Sequence, residues 1–91
     1  PARALVAPAR PELFRETIKI SERLRDEGIS VLLDPGRRKL RSLLDYADRI
    51  DVDYVVIVGE RELREGKVVL RDMKSWRQEA LALEEVIERL K

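Results

Sequence analysis

The chain has 91 residues, 44% of them apolar and 41% charged; its 19 basic and 18 acidic side chains leave a net charge of +1. This length suits one small domain, which we expect to span residues 1–91. A general polyanion binder is usually far more basic, so any nucleic-acid surface must be local. The absence of cysteine and histidine excludes a disulfide framework, a thiolate metal site and the commonest general base.

The first half of the sequence alternates predicted strands and helices. Residues 3–7 form a short apolar strand, and apolar residues recur at helical spacing over 12–27, before a glycine suited to end a helix. Residues 29–33 are a continuous apolar run typical of a buried strand. A second helical stripe covers 37–49. Strands separated by helices and short loops predict parallel strands with right-handed crossovers.

The second half of the sequence has shorter predicted elements and shorter connections between them. Residues 53–59 are the strongest predicted strand, and 60–66 are a polar helical turn. Strands are predicted at 67–72 and 79–83, and their short connections require antiparallel pairing. A last helix ends the chain. The predicted fold is α/β: a mixed five-stranded sheet, three parallel strands followed by an antiparallel hairpin, with three helices.

The sequence gives little indication of a catalytic site. The serines have no histidine to activate them, and many carboxylates, such as Glu85 beside Arg89, stand at the spacing of exposed helical ion pairs. Gly36 and Gly59 lack the spacing of a phosphate-binding loop. We therefore expect no free-standing enzyme, no cofactor and no metal. No apolar run approaches 18 residues, so no membrane span is predicted, and a cytoplasmic location is expected.

A basic cluster stands out against the near-neutral background. Arg37, Arg38, Lys39 and Arg41 lie within five residues, at the predicted start of the second helix. Ligands of open α/β sheets bind at the carboxyl edge of the strands, where this cluster would lie. Basic side chains at a helix N-terminus oppose the helix dipole. The cluster thus indicates either an anionic partner, such as phosphate or a guanine edge, or a solvent-exposed charged surface.

Trp76 lies between Lys74 and Arg77 in the predicted turn before the last strand. Two interpretations are open. The indole stacks on a nucleobase, or it folds back on the sheet as an ordinary hairpin residue.

An ordered set of motifs spans nearly the whole chain: "LRDEGI" (24–29), "GRRKL" (36–40), "YAD" (46–48) and "GERELREGKVVLRD" (59–72). This set resembles the C-terminal anticodon-binding domain of class IIa aminoacyl-tRNA synthetases, with the histidyl enzyme as the nearest variant. The fold of that family is the one that the pattern predicts. Its catalytic motifs belong to a separate domain, and none of them is present in these residues.

The resemblance implies a tRNA anticodon loop as the ligand. It assigns base contacts to Arg37, Glu62 and Arg71. A glutamate accepts from a base amino group, and an arginine donates to base acceptors. The resemblance also implies a parent catalytic domain, and a homodimer through parts that this chain lacks. The remaining basic residues of the cluster would lie near the RNA backbone: Arg38, Lys39 and Arg41.

The chain departs from the family in places. Asp51 replaces a usual glycine, and Asp tolerates the left-handed conformation less well than glycine. Residues 75–77 read Ser-Trp-Arg where the family often has Thr-Gly-Glu, so the family's hairpin shape is not carried over to this chain, and Trp76 adds a contact. The alternative function is a non-catalytic protein-interaction or accessory module that keeps the fold. A nucleotide or small-molecule site is a third option, and the missing phosphate loop counts against it.

Overall fold

A computed structural model describes residues 3–34 and 38–91. Its strands are Arg3–Pro8 (β1), Ser30–Leu33 (β2), Tyr54–Val58 (β3), Lys67–Asp72 (β4) and Gln78–Ala82 (β5). Its helices are Phe14–Asp26 (α1), Leu40–Arg49 (α2), Glu60–Arg64 (α3) and Leu83–Leu90 (α4), with a 3-10 turn at Pro11–Leu13. Among these elements no helix combines the length and apolar character needed to span a membrane.

The five strands form one sheet in the order β2-β1-β3-β4-β5. β1 pairs in parallel with β2 and β3, whereas β4 is antiparallel to both β3 and β5. The predicted mixed sheet is therefore confirmed. Three helices have 13, 10 and 8 residues, and the predicted polar turn is the fourth, the five-residue α3.

Both faces of the sheet carry apolar clusters because the inner strands are apolar on both sides. In β3 the side chains alternate, so that Val56 and Val58 face one cluster while Val55 and Ile57 face the other. The first cluster includes residues of α1 and α4, among them Ile20, Leu24, Val86, Ile87 and Leu90. The second lies beneath α2 and includes Leu5, Ala7, Leu43, Ala47 and Met73.

Left-handed residues end the two longer helices. Gly28 follows α1 with φ of 83°, and Asp51 follows α2 with φ of 60°. Beyond Asp51, the N–H of Val52 donates to the carbonyl of Ala47 at 3.2 Å, which satisfies a carbonyl of the last helical turn. Asp51, which replaces the glycine usual in the family, thus adopts the left-handed conformation that it tolerates less well than glycine.

Helix α2 starts later than its sequence pattern predicts. It begins at Leu40, and Lys39 before it has an extended backbone with φ of −68° and ψ of 155°. Arg38 and Lys39 thus precede the helix, and Arg41 lies in its first turn. Arg37 lies outside the described residues. An apolar stripe marks the buried face of a helix, but not the residue at which the backbone turns helical.

The expected ion pair on the last helix differs as well. Arg89 bonds to Glu79 of β5, with Nη1 and Oε2 at 3.0 Å. Glu85 instead accepts the N–H of Ala82 at 3.1 Å, just before α4. A carboxylate in this position satisfies one of the free N–H groups at the helix start.

Candidate nucleic-acid interface

Part of the sheet is uncovered on the side that carries α2. Strand pairing places Val55, Arg71 and Gln78 side by side across β3, β4 and β5. Val55 is buried in the cluster beneath α2, whereas Arg71 is half-buried and Gln78 is exposed. Two residues further along the same strands, and on the same face of the sheet, Val69 of β4 pairs with the exposed Ala80 of β5. Val69, Arg71, Gln78 and Ala80 form a surface that we name the open shelf.

Arg71 is fixed in place on the open shelf. Its Nη1 donates to Oε1 of Gln78 at 2.8 Å, and its guanidinium carbon lies 4.9 Å from the centre of the Trp76 ring. Its Nε is buried without an acceptor among the described residues. A guanidinium has five N–H donors; besides the one that binds Gln78 and the buried Nε–H, three of those of Arg71 form no hydrogen bond within the described residues.

The β4–β5 hairpin holds Trp76 over Arg71. Oδ1 of Asp72 accepts the N–H groups of Lys74 at 2.9 Å and Ser75 at 3.2 Å, and the carbonyl of Asp72 accepts the N–H of Trp76 at 2.8 Å. Trp76 has a left-handed φ of 64° and is 51% exposed. The ring therefore folds back, as one interpretation expected, but onto a cation, and half of its surface remains open to solvent.

Glu62 lies at the other end of the β3–β4 pair. A Cβ on Gly59 would collide with the Glu62 carboxylate, so this carboxylate lies directly against the backbone of Gly59. No hydrogen bond or ion pair joins it to another described side chain. Gly59 lies four residues along the chain from Val55, the partner of Arg71, which is roughly 13 Å in a strand. Glu62 and Arg71 thus lie at opposite ends of the β3–β4 pair, and no ion pair joins them.

The described part of the basic cluster lies near the opposite edge of the sheet. Nε of Arg38 is 3.2 Å from Oδ2 of Asp34, and its guanidinium carbon lies 4.8 Å from the centre of the Tyr46 ring. Lys39 and Arg41 are exposed. The first turn of α2 holds no acidic residue, and no side chain caps it. The positive end of the helix dipole therefore shares one surface with Lys39 and Arg41, which form no ion pair with the other described residues.

The residues named from the sequence occupy three places and not one compact site. Arg71 and Trp76 are in contact, Glu62 lies at the far end of β4, and the basic cluster begins beyond β2. Three strand spacings separate β2 from β4, which amounts to roughly 14 Å. A ligand that touches all three places must be extended over the sheet.

Two contributors were not found from the sequence. Gln78 binds Arg71, but the last strand was predicted to begin one residue after it. The hairpin bond from the N–H of Asp72 to the carbonyl of Arg77 at 2.8 Å sets residues 71 and 78 opposite each other. A prediction that placed residues 71 and 78 opposite each other at the end of the hairpin would have identified the contact between Arg71 and Gln78. Tyr46, under Arg38, carried no comparable signal.

Sequence comparisons place the chain among known proteins. A family described as "Anticodon binding domain" matches residues 3–91. Histidine–tRNA ligase from Methanosarcina acetivorans is 44% identical over 86 residues, which cover 94% of this chain and 21% of that protein. Histidine–tRNA ligase from Thermococcus kodakarensis is 40% identical over 79 residues, covering 87% and 18%. The chain spans about a fifth of the length of these curated relatives.

Solved structures share the fold. Histidyl-tRNA synthetase from Nostoc sp. superimposes with a TM-score of 0.86 at 32% identity, over 100% of this chain and 23% of that one. The RNA binding domain of threonyl-tRNA synthetase from Cryptosporidium parvum gives 0.89 at 22% identity, over 98% and 22%, and this likeness concerns the fold alone. With a family match that runs from residue 3 to residue 91, the chain belongs to the anticodon-binding domain family.

Proposed function

We propose that the chain recognises the anticodon loop of tRNA as one domain of a histidyl-tRNA synthetase. The observation that carries this proposal is the open shelf, on which Arg71 offers donors that no other described residue uses, together with Glu62 at the opposite end of the β3–β4 pair. The 44% identity to a histidine–tRNA ligase favours the histidyl branch. Ligase activity in the cytoplasm would belong to the parent catalytic domain, and we assign no catalytic residue to this chain.

Base recognition divides between the two ends of β4. Arg71 donates to acceptors on a base edge, and Glu62 accepts from an exocyclic amino group. Their separation suits two different bases of one loop, since sequence-specific RNA recognition targets unstacked bases in single strands. We assign the third base contact to Arg37. This assignment rests on the resemblance alone, because Arg37 lies outside the described residues.

The basic cluster holds the RNA backbone. Arg38, Lys39 and Arg41 supply charge beside the start of α2, where the helix dipole also favours anions. The bond of Arg38 to Asp34 does not prevent this role, because partly exposed ion pairs contribute little. A phosphate can therefore compete with Asp34 for the guanidinium.

One structural feature favours the alternative function, an interaction or accessory module. Leu32 is 36% exposed on β2, an outer strand of the sheet, and unpaired outer strands are sites of strand addition. Sedimentation of the chain over a range of concentrations tests this function. A monomer that binds the stem-loop contradicts the module, whereas self-association abolished by Leu32→Asp supports it.

Paired variants test the proposed function. The assay is binding to the anticodon stem-loop of histidine tRNA and to the same loop with a scrambled anticodon. Arg71→Ala is expected to weaken binding of the histidine loop by about 1–3 kcal/mol and to reduce discrimination between the loops. Glu62→Gln, which keeps the size of the side chain, should also reduce discrimination.

Arg15→Ala is the matched control. It removes the same charge from an exposed position on α1, which packs on the other face of the sheet. This variant should weaken the binding of both stem-loops slightly and by the same factor. Equal binding of the histidine loop by Arg71→Ala and by the parent chain would contradict the proposal.

A further inference from the structure

We propose that Trp76 has two roles in one position: it orients Arg71, and its open surface stacks on an unpaired base of the bound RNA. This inference rests on the proposed function and names the feature that the open shelf recognises, a base displaced from its stack. The pair of Trp76 and Arg71 then acts as one platform, which supplies both stacking and hydrogen bonds.

The backbone of Trp76 gives the first argument. Its φ of 64° lies in the left-handed region, which is costly for residues other than glycine, asparagine and aspartate, and tryptophan has no side-chain group that compensates for this cost locally. The hairpin bonds of Asp72 impose this conformation through the N–H groups of residues 74–76. Glycine would meet the same backbone requirement without strain. What tryptophan adds is a large aromatic surface at the edge of the open shelf.

The contacts of the ring give the second argument. The ring packs on the Arg71 guanidinium at 4.9 Å, and yet 51% of the residue remains exposed. A long arginine side chain loses much freedom when it binds a ligand, and a side chain that is already held loses less. Trp76 on one side and Gln78 on the other therefore prepare Arg71 for a base edge.

The surrounding charge gives the third argument. Lys74 and Arg77 flank Trp76; both are exposed, and neither forms an ion pair within the described residues. An aromatic ring between free cations combines base stacking with phosphate attraction. A duplex keeps its bases stacked inside, so this combination fits a single-stranded loop and not a helical stem.

Intrinsic fluorescence gives a direct readout, because Trp76 is the only tryptophan in the chain. Titration with the anticodon stem-loop should quench the emission. A fully paired duplex of the same loop sequence should quench much less at equal bound fraction. Each bound fraction is measured separately with a label on the RNA.

Two variants separate stacking from folding. Trp76→Gly keeps the left-handed conformation accessible and should weaken loop binding about 5- to 150-fold, the range for loss of one stacked base. Trp76→Phe keeps an aromatic ring and should recover most of the affinity. Denaturant unfolding of both variants checks that each is folded.

A double-variant cycle tests the orienting role. If Trp76 positions Arg71, the loss in Trp76→Gly with Arg71→Ala should be smaller than the product of the two single losses. Losses that multiply would overturn this role.

The outcomes distinguish the inference from the proposed function. Binding that depends on Arg71, without quenching and with full affinity in Trp76→Gly, overturns the inference and leaves anticodon recognition standing. A parent chain that binds neither loop overturns both. Quenching by the loop, loss in the glycine variant and a non-multiplicative cycle together support the inference.

Discussion

At the scale of single residues, Asp51 and Trp76 share a left-handed backbone but differ in how well their side chains tolerate it. Both are left-handed, with φ of 60° and 64°. Asp51 ends α2, and its short polar side chain is among the few that tolerate this conformation. Trp76 has no such tolerance. The strain at residue 51 is thus a small cost of ending a helix, whereas the strain at residue 76 coincides with a contact to Arg71.

Residue 51 offers a test of this strain. We expect Asp51→Ala to be less stable than Asp51→Gly by about 1 kcal/mol, because alanine has the Cβ clash without a compensating polar group. Urea unfolding of the two variants measures the difference. Alanine and glycine variants of equal stability would show that the left-handed conformation is not required in solution.

Gly59 offers a second test, at the close approach of Glu62. Gly59→Ala should displace the Glu62 carboxylate, since the added Cβ would collide with it. Residue 59 has φ of −112°, which alanine adopts freely, so the loss of stability should be small. Loop discrimination should fall as it does in Glu62→Gln, and the double variant should lose no more. An alanine variant with full discrimination would contradict the placement of Glu62.

At the scale of elements, α1 is held by its buried stripe. Leu24 is 0% exposed between the helix and the sheet. We expect Leu24→Ala to lower the free energy of unfolding by about 2–5 kcal/mol through the cavity that it leaves. Leu32→Ala is the matched control and should cost about 1 kcal/mol or less. Denaturant titrations measure both values, and a loss in Leu32→Ala as large as that in Leu24→Ala would contradict the burial pattern.

The end of α1 is also tied to the end of the chain. Nζ of Lys91 lies 3.0 Å from Oε1 of Glu27, and Nη1 of Arg23 lies 2.8 Å from Oε2. The hydrogen bond and charge of Lys91, and then those of Arg23, hold the pKa of Glu27 below its ordinary value. The interactions of ionised Glu27 therefore stabilise the folded state fully at pH values above the ordinary glutamate pKa. This stabilisation is lost as the pH falls through the lowered pKa of Glu27 in the folded state.

Glu27→Gln tests this linkage. The variant should unfold more easily than the parent at neutral pH, and the difference should shrink in acid, because protonation of Glu27 then removes the same interaction from the parent. Thermal unfolding at several pH values below neutral measures the trend. A difference that stays constant into acid would contradict it.

The elements differ in how far the sequence predicts them. Strand β3 and helix α1 have long apolar patterns, and both were predicted within a residue or two. The start of α2 was placed too early, because basic residues before Leu40 continue a helical spacing although Lys39 is extended. Gln78 was left in a turn, since a polar residue on an exposed outer strand carries no pattern. The stacking of Trp76 on Arg71 depends on a hairpin geometry that local patterns do not encode.

At the scale of the whole molecule, the many basic and acidic side chains almost cancel. A net charge of +1 gives little general attraction to RNA, so binding must come from the basic cluster and the open shelf. If Arg38, Lys39 and Arg41 each neutralise one phosphate, the logarithm of the binding constant should fall with the logarithm of salt with a slope of about −2, or about −3.5 if Lys74 and Arg77 each neutralise one more. A much steeper slope would indicate a wider phosphate surface than the one described.

The central claim, that the open shelf reads bases and does not merely attract phosphates, is tested most directly by salt titration with two stem-loops. The histidine anticodon loop is compared with the same loop carrying a scrambled anticodon. We expect tighter binding of the histidine loop, with the ratio of affinities retained as salt rises, because base contacts release few counterions. Equal affinities that both vanish by moderate salt would contradict base recognition and leave only a phosphate-attracting surface.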